Sequence, residues 1–248
     1  MADDVVKSVG RVLAVLELFR VKREPLSGSQ IATELGYPSS STNAVLKSLV
    51  KLGYLSWDTQ SRRYFPTVSV TGLGEWIPDK LLTNEILEML EALHEGTGET
   101  VTLSTQIDLN MQFVRVLPGT FPISLSLTEG YLGPLFGSAV GTACLAPLSD
   151  DQISKLLTRV RLQGGSAADQ LELAEVMAEV EATRERGYAV GFDLILQDTG
   201  AIAMIIPSHP KFVIGVGGLS QRIQRNKEAI IDLMQRTVGD RVVAPLVG

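Results

Sequence analysis

The chain has 248 residues, with 22 Lys and Arg against 28 Asp and Glu, for a formal net charge of −6. That length allows one large domain or two ordinary ones, and 45% hydrophobic with 20% charged residues is enough for packed cores, which excludes a disordered tail. The acidic total excludes a uniformly basic DNA coat, and the single Cys144 excludes an internal disulfide framework or a Cys-built zinc cage. His94 and His209, far apart in sequence, make a His-rich metal site unexpected. The acidic start Met1-Ala2-Asp3-Asp4 is not followed by a signal-peptide core, and no apolar run reaches the roughly 18 residues of a membrane span. These features predict a soluble cytoplasmic protein with no membrane partner, no metal and no cofactor.

Val9, Val12, Leu13, Leu16 and Phe19 recur at helical spacing and predict an amphipathic first helix, interrupted by Pro25. Ser27-Gly28-Ser29-Gln30 reads as a capping box that starts a short helix through Ile31 and Leu35, stopped by Gly36. Pro38-Ser39-Ser40-Ser41 opens a third helix with its inward face at Val45, Leu46, Leu49 and Leu52, closed by Gly53. Two strand-like runs follow, Tyr54 to Trp57 and Arg62 to Phe65, across the turn Asp58-Thr59-Gln60-Ser61. Three helices and a hairpin, with a three-residue break between helices two and three, are the plan of a winged helix-turn-helix.

Residues 79–96 predict an amphipathic connecting helix bearing Leu82, Ile86, Met89, Leu90 and Leu93. Strands are predicted over Thr100 to Ile107, Met111 to Leu117 and the alternating Ile123-Ser124-Leu125-Ser126-Leu127. A small-residue helix is expected over Gly137 to Ala146, with further helices at Asp151 to Thr158 and Asp169 to Arg186. Buried strands at Ala201 to Ile206 and Phe212 to Gly217 flank Ser208-His209-Pro210, and Lys227 to Val238 forms a last helix. The expected organisation is an α+β chain: a winged helix-turn-helix over 1–70, a linker and connecting helix over 71–96, and a second domain over 97–248.

Charge divides along the same line. Residues 1–70 hold nine Lys and Arg against six Asp and Glu, whereas 71–248 hold 13 against 22. A basic head and an acidic body imply modules that face different partners.

Over nearly its whole length the chain resembles the IclR family of bacterial transcriptional regulators. The resemblance rests on Ser8-Val9-Gly10-Arg11-Val12-Leu13, Leu26-Ser27-Gly28-Ser29-Gln30-Ile31-Ala32, Leu46-Lys47-Ser48-Leu49 through Gly53-Tyr54, and the wing-like Arg63-Tyr64-Phe65. It continues with Gly96-Thr97-Gly98-Glu99-Thr100-Val101, Ser138-Ala139-Val140-Gly141-Thr142-Ala143, Arg184-Glu185-Arg186-Gly187-Tyr188-Ala189, Gly200 and Pro207. It implies a GAF-like second domain, a curved antiparallel sheet with flanking helices that holds a small effector. It also implies a homodimer through the front domain, or a dimer of dimers.

In the head, the outward positions of the third helix are Ser40, Ser41, Asn43, Ala44, Lys47 and Ser48. Asn43 has the amide pair that can read adenine in the major groove, and Ser39 to Ser41 sit where hydroxyls and free amides grip phosphate. Lys47 and Lys51 are candidate phosphate contacts, and Arg62 and Arg63 are candidates for the adjacent minor groove. Ala44 stands where many relatives carry a basic residue, which removes one contact and places more weight on a dimer reading two half-sites of a double-stranded operator.

In the body, the resemblance aligns Ser138, Ala139 and Val140 with residues whose amides meet an effector carboxylate, and Asp193 with a polar contact. Ala203 stands where relatives commonly have cysteine, and Gly215 and Gly217 where small-acid binders can present serine. Leu125, Leu127, Tyr131, Leu135 and Phe136 are candidate walls. The expected effector is a small organic acid, bulkier and more apolar than glyoxylate, in the aromatic or cyclic class. Two other readings stand beside the regulator: an interaction protein without a working pocket, and an enzyme on a GAF-like body. Against the enzyme, Cys144 has no His or acid at triad spacing, His94 reads as a dipole partner at a helix end, and Gly215-Val216-Gly217-Gly218 lacks the order of a dinucleotide loop.

Overall fold

The computed structural model of the chain describes residues 6–74, 83–163 and 171–239. The chain divides into two compact units between residues 81 and 82.

In the first unit, helices α1 (Lys7–Lys22), α2 (Gly28–Leu35) and α3 (Ser39–Lys51) precede strands β1 (Leu55–Asp58) and β2 (Arg63–Pro66). The Ser27 capping box forms as expected, with Ser27 and Gln30 satisfying each other's backbone amides. Gly36 closes α2 in the left-handed region, at φ 64°, which favours glycine there. The core gathers Val15, Phe19, Leu26, Ile31, Leu46, Leu49, Leu55 and Tyr64. Leu26 exchanges both backbone hydrogen bonds with Tyr64 and so fastens the hairpin to the helices.

Three expectations are corrected here. Val9 and Leu13 are exposed, because α1 turns Val15 and Phe19 inward instead. Leu52 is exposed, because it is the C-cap of α3 and lies past the inward face set by Thr42, Leu46 and Leu49.

The second unit is built on a six-stranded antiparallel sheet of order β5-β4-β3-β8-β7-β6. Its strands are β3 (Thr100–Ile107), β4 (Asn110–Leu117), β5 (Leu132–Pro134), β6 (Ala189–Phe192), β7 (Thr199–Ile206) and β8 (His209–Leu219). Helices α4 (Asn84–Thr97), α8 (Ser220–Arg225) and α9 (Lys227–Gly239) seal one face, burying Ile86, Met89, Leu90 and Leu93 against Val101, Leu103, Ile202 and Ile214. Each such fully buried Leu or Ile contributes about 1.5–3 kcal/mol. Helices α5 (Ala139–Leu145), α6 (Asp150–Leu162) and α7 (Leu173–Arg186) gather on the second core, around Val140, Ala143, Ile153, Val180 and Ala203.

The helix expected as a connector packs, over its described residues, within the second unit, since its apolar face has a sheet to cover; its expected start at 79–82, with Leu82, lies outside the described residues. The strand expected at Ile123–Leu127 does not form. Its alternation holds only over Leu125 to Leu127, with the two leucines half-buried and Ser126 exposed; Ile123 is exposed, no strand pairs with the segment, and β5 takes the edge position beside β4. The expected start of a helix at Asp169 lies outside the described residues. Among the described residues no helix is long and apolar enough to cross a membrane.

Candidate functional site

On the head, α3 presents one polar face. Thr42, Leu46 and Leu49 point into the core, which leaves Ser40, Asn43, Ala44, Lys47 and Lys51 exposed on the other side at i, i+3, i+4, i+7 and i+11. Ser39 is exposed as well. Ser41 is half-buried, and its hydroxyl donates to the Pro38 carbonyl at 2.9 Å, so it partly caps the helix it begins. Ser48 bonds back to the Ala44 carbonyl at 2.8 Å.

The hairpin separates its two arginines. Arg62 sits in the turn in the left-handed region at φ 53°, with no partner among the described residues. Arg63 donates to the Pro25 carbonyl at 2.9 Å and braces the turn end of the hairpin against the segment before α2. The turn is organised by Asp58, which accepts from the Gln60 amide at 2.9 Å and the Ser61 hydroxyl at 2.7 Å. The Ser61 bond, then that of Gln60, holds the Asp58 carboxyl below its ordinary value. Elsewhere on the head, Arg20 pairs with Glu17, Lys22 pairs with Glu34, and Arg11 lies over the Tyr37 ring. The unneutralised cations Lys47, Lys51 and Arg62 lie on the α3 and hairpin surface.

On the body, the sheet face opposite α4 and α9 is only partly covered by α5. Beside α5 lies a cavity of about 130 Å³ lined by Thr100, Thr102, Phe113, Leu125, Leu127, Tyr131, Ser138, Ala139, Val140, Gly191, Leu194, Ile195, Leu196, Thr199, Gly200, Ala201, Gly215, Val216 and Gly217. One water needs roughly 10–15 Å³ by this measure, so the cavity holds roughly ten water-sized groups. None of the lining side chains is charged.

Four of its five hydroxyls are already engaged, that of Thr102 with the Gly215 carbonyl at 3.5 Å, and Tyr131 carries the fifth. Thr100 Oγ1 donates to the Leu125 carbonyl and accepts from the Gly119 amide, each at 3.1 Å. Ser138 Oγ donates to Pro134 at 2.8 Å and accepts from Gly141 at 3.0 Å, and Thr199 donates to Leu196 at 2.6 Å. The amides of Ala139 and Val140, at the start of α5, have no partner among the described residues.

Leu125, Leu127, Tyr131, Ser138, Ala139, Val140, Gly215 and Gly217 thus lie together, as expected. Four expected residues do not join them. Leu135 and Phe136 are buried in the second core. Asp193 has φ 55°, which turns it outward, where its carboxylate accepts from the Ser220 hydroxyl at 3.3 Å. Ala203 faces α5 two residues beyond the lining Ala201, and it is wholly covered.

Sequence reasoning missed the loop carrying Leu194, Ile195 and Leu196, 51%, 43% and 54% exposed, which walls the cavity. Three successive apolar residues without period, just after a short strand, were the available signal. Cys144 is half-buried with Sγ 3.8 Å from Gln106 Oε1, and burial pushes its thiol up to about 11. His94, in the last turn of α4, also bonds the Pro118 carbonyl through Nε2 at 2.8 Å.

A winged helix-turn-helix head followed by a separate α+β domain is the build of a DNA-binding transcriptional regulator. Residues 8–59 match the IclR helix-turn-helix domain, and residues 80–241 match the bacterial transcriptional regulator IclR C-terminal domain. The chain belongs to the IclR family of bacterial transcriptional regulators.

It is 24% identical over 225 residues to the HTH-type transcriptional regulator KipR of Bacillus subtilis, covering 89% of each chain. To the regulator TsaQ1/TsaQ2 of Comamonas testosteroni it is 28% identical over 229 residues, covering 88% of this chain and 80% of that one. Among solved structures, an IclR homolog from Microbacterium hydrocarbonoxydans complexed with 4-hydroxybenzoate has the same fold. The TM-score is 0.69 at 19% identity, over 94% of this chain and 96% of that one. The family and these relatives are regulators of transcription, not enzymes.

Proposed function

We propose that this regulator binds a double-stranded operator through α3 and the hairpin, and that a small cyclic or aromatic acid in the body cavity modulates that binding. The observation that carries the reading is the pairing, in one chain, of a cationic polar helix face with an apolar cavity of about 130 Å³. Ser39, Ser40, Asn43, Ala44, Lys47, Lys51 and Arg62 form the DNA-facing surface in this reading, with Ser41 and Arg63 mainly bracing it.

In the cavity, ring carbons meet Leu125, Leu127, Phe113 and Tyr131, and a carboxylate meets the free amides of Ala139 and Val140. The absence of a cationic lining residue among those described favours a single carboxylate over a dianion, because a second charge has no partner there. The protein relative crystallised with 4-hydroxybenzoate supports this size class. Self-association into a dimer or a dimer of dimers is part of the proposal. It is supported by the few cations on each head and by the exposed Val9 and Leu13 of α1. A cytoplasmic location follows from the same role.

The test is fluorescence anisotropy of the full chain on DNA from upstream of its own gene, with and without 4-hydroxybenzoate, benzoate, glyoxylate and pyruvate, beside a thermal-shift panel. Stabilisation and altered DNA affinity with the ring acids are expected. A response to the two- and three-carbon acids alone overturns the effector class, and no DNA binding below physiological salt overturns the operator role.

A further inference from the structure

We infer that Arg222 and Ser220, on the short helix α8, are positioning residues that couple two separate walls of the body cavity. This rests on the cavity being the effector site of the function proposed above. The two walls come from distant parts of the chain. One is the segment 119–127, which carries Leu125 and Leu127; the other is the 193–198 loop, which carries Leu194, Ile195 and Leu196.

Both are tied to the first turn of α8. The Ser220 amide donates to the Asp198 carbonyl at 2.9 Å, and its hydroxyl donates to Asp193 Oδ1 at 3.3 Å, so Ser220 grips both ends of the loop. Asp193 and Asp198 are each in the left-handed region, at φ 55° and 60°, and the Asp193 amide donates to the Thr199 carbonyl at 2.8 Å, so the loop is closed on itself and moves as one piece against Ser220. Two residues on, Arg222 Nη2 donates to the Ile123 carbonyl at 3.1 Å, and its guanidinium lies 4.1 Å from the centre of the Phe121 ring.

Arg222 is itself fixed by a bidentate pair with Glu99, Nε to Oε1 at 2.6 Å and Nη2 to Oε2 at 2.7 Å. The Glu99 side chain is 2% exposed. A fork of this kind tolerates little rotation, and Gly218 leaves room for it: a Cβ there would stand 2.1 Å from Glu99 Oε2. Thr100 pins the 119–127 segment at Gly119 and Leu125, and outward movement of the Phe121–Ile123 stretch pulls on α8, as does movement of the 193–198 loop, so α8 joins the two walls.

The same helix reaches the sealed face. Ile223 is fully buried in the core that holds α4 and α9, directly behind the cavity-lining Gly200, where a Cβ would lie 3.2 Å from Ile223 Cβ. A ligand seated between the walls thus acts on α8, and through Ile223 on the α4–α9 layer.

Peptide-level hydrogen exchange of the ligand-free full chain tests the coupling without any effector, so it stands or falls separately from the effector reading. In Arg222→Met, exchange should rise about tenfold in 119–127, which Arg222 touches, and also several-fold in 193–198, which it does not. Ser220→Ala should show the reciprocal pattern, and Arg222→Lys, which keeps the charge pair without the fork, should lie between. If each variant loosens only the wall it touches, the inference is overturned. Should Arg222→Met fail to fold because Glu99 is left buried and unpaired, Glu99→Gln/Arg222→Met removes that charge and is read by the same two segments.

Discussion

The assignment of Lys47, Lys51 and Arg62 as the unneutralised cations of the α3 and hairpin surface has a measurable consequence in salt. Each phosphate contact contributes a slope of about −0.9 to log K against log salt. Three contacts on one head give about −2.7, and two heads engaged together about −5.4. Between about 50 and 200 mM salt these slopes correspond to affinity losses of roughly 40-fold and roughly 1,800-fold. Lys51→Gln should reduce the slope by about 0.9 if one head binds and about 1.8 if two do, so the step also counts heads. Arg63→Gln is the internal comparison, since its guanidinium is held on the Pro25 carbonyl and not offered outward. Anisotropy titrations of the full chain on a duplex from upstream of its own gene, at four or more salt concentrations, give the slopes directly. The reasoning fails if Lys47→Gln/Lys51→Gln/Arg62→Gln keeps the parental slope, or if Arg63→Gln flattens it more than Arg62→Gln.

Four further outcomes are expected. Asn43→Ala should weaken binding to the preferred operator by about 5- to 150-fold, the worth of one bidentate base contact, at unchanged Tm. An equal loss on every duplex sequence would instead assign Asn43 to the backbone. Cys144, with its thiol raised from 9.0 to about 11, carries about 100-fold less thiolate at neutral pH than in the unfolded chain. Maleimide labelling of the folded protein should slow at least in that proportion, and prompt labelling would show the thiol to be open. Gly217→Val should abolish thermal stabilisation by a ring acid, because its Cβ would lie 2.9 Å from Leu125 Cδ1 and its methyl groups would enter the cavity. Asp193→Asn should leave that stabilisation intact, and the reverse pattern would restore Asp193 to the pocket.

Much of the head was legible because its signals are local. The Ser27 box, the Gly36 stop and the three-residue break act within a few residues of the chain, and tertiary packing did not override them. The errors arose where a pattern needs a partner. Ile123 to Leu127 alternates in sequence as a strand should, yet Ile123 is exposed, and Leu125 and Leu127 face a cavity instead of pairing with a neighbouring strand. Ile86 to Leu93 shows helical period, but period does not say what the apolar face covers, and here it covers the sheet. The family resemblance aligns Asp193 with a polar contact of the effector. A single left-handed residue then turned its side chain away, and no sequence periodicity records that. Leu135 and Phe136, expected as walls, are buried in the core instead, because composition cannot separate the lining of a cavity from the core next to it.

The glycines of β8 illustrate why a cavity stands here at all. The strand sends Phe212, Ile214 and Val216 to the sealed face and Val213, Gly215 and Gly217 to the other, so its bulk lies on one side. From sequence, the two glycines imply a floor enlarged by missing side chains. The structure divides that role. At Gly215 the space is already taken, since a Cβ would meet Thr102 Oγ1 at 2.9 Å and Val140 Cγ1 at 3.1 Å, so this glycine lets α5 settle close to the sheet. At Gly217 the neighbour is the flexible end of Leu125. The floor is therefore fixed by backbone and short side chains, while the adjustable volume lies in the walls, Leu125 and Leu127 on one segment and Leu194 to Leu196 on another. Selectivity in such a site is governed less by what the strands present than by how far those two walls can part, and their spacing is set from α8.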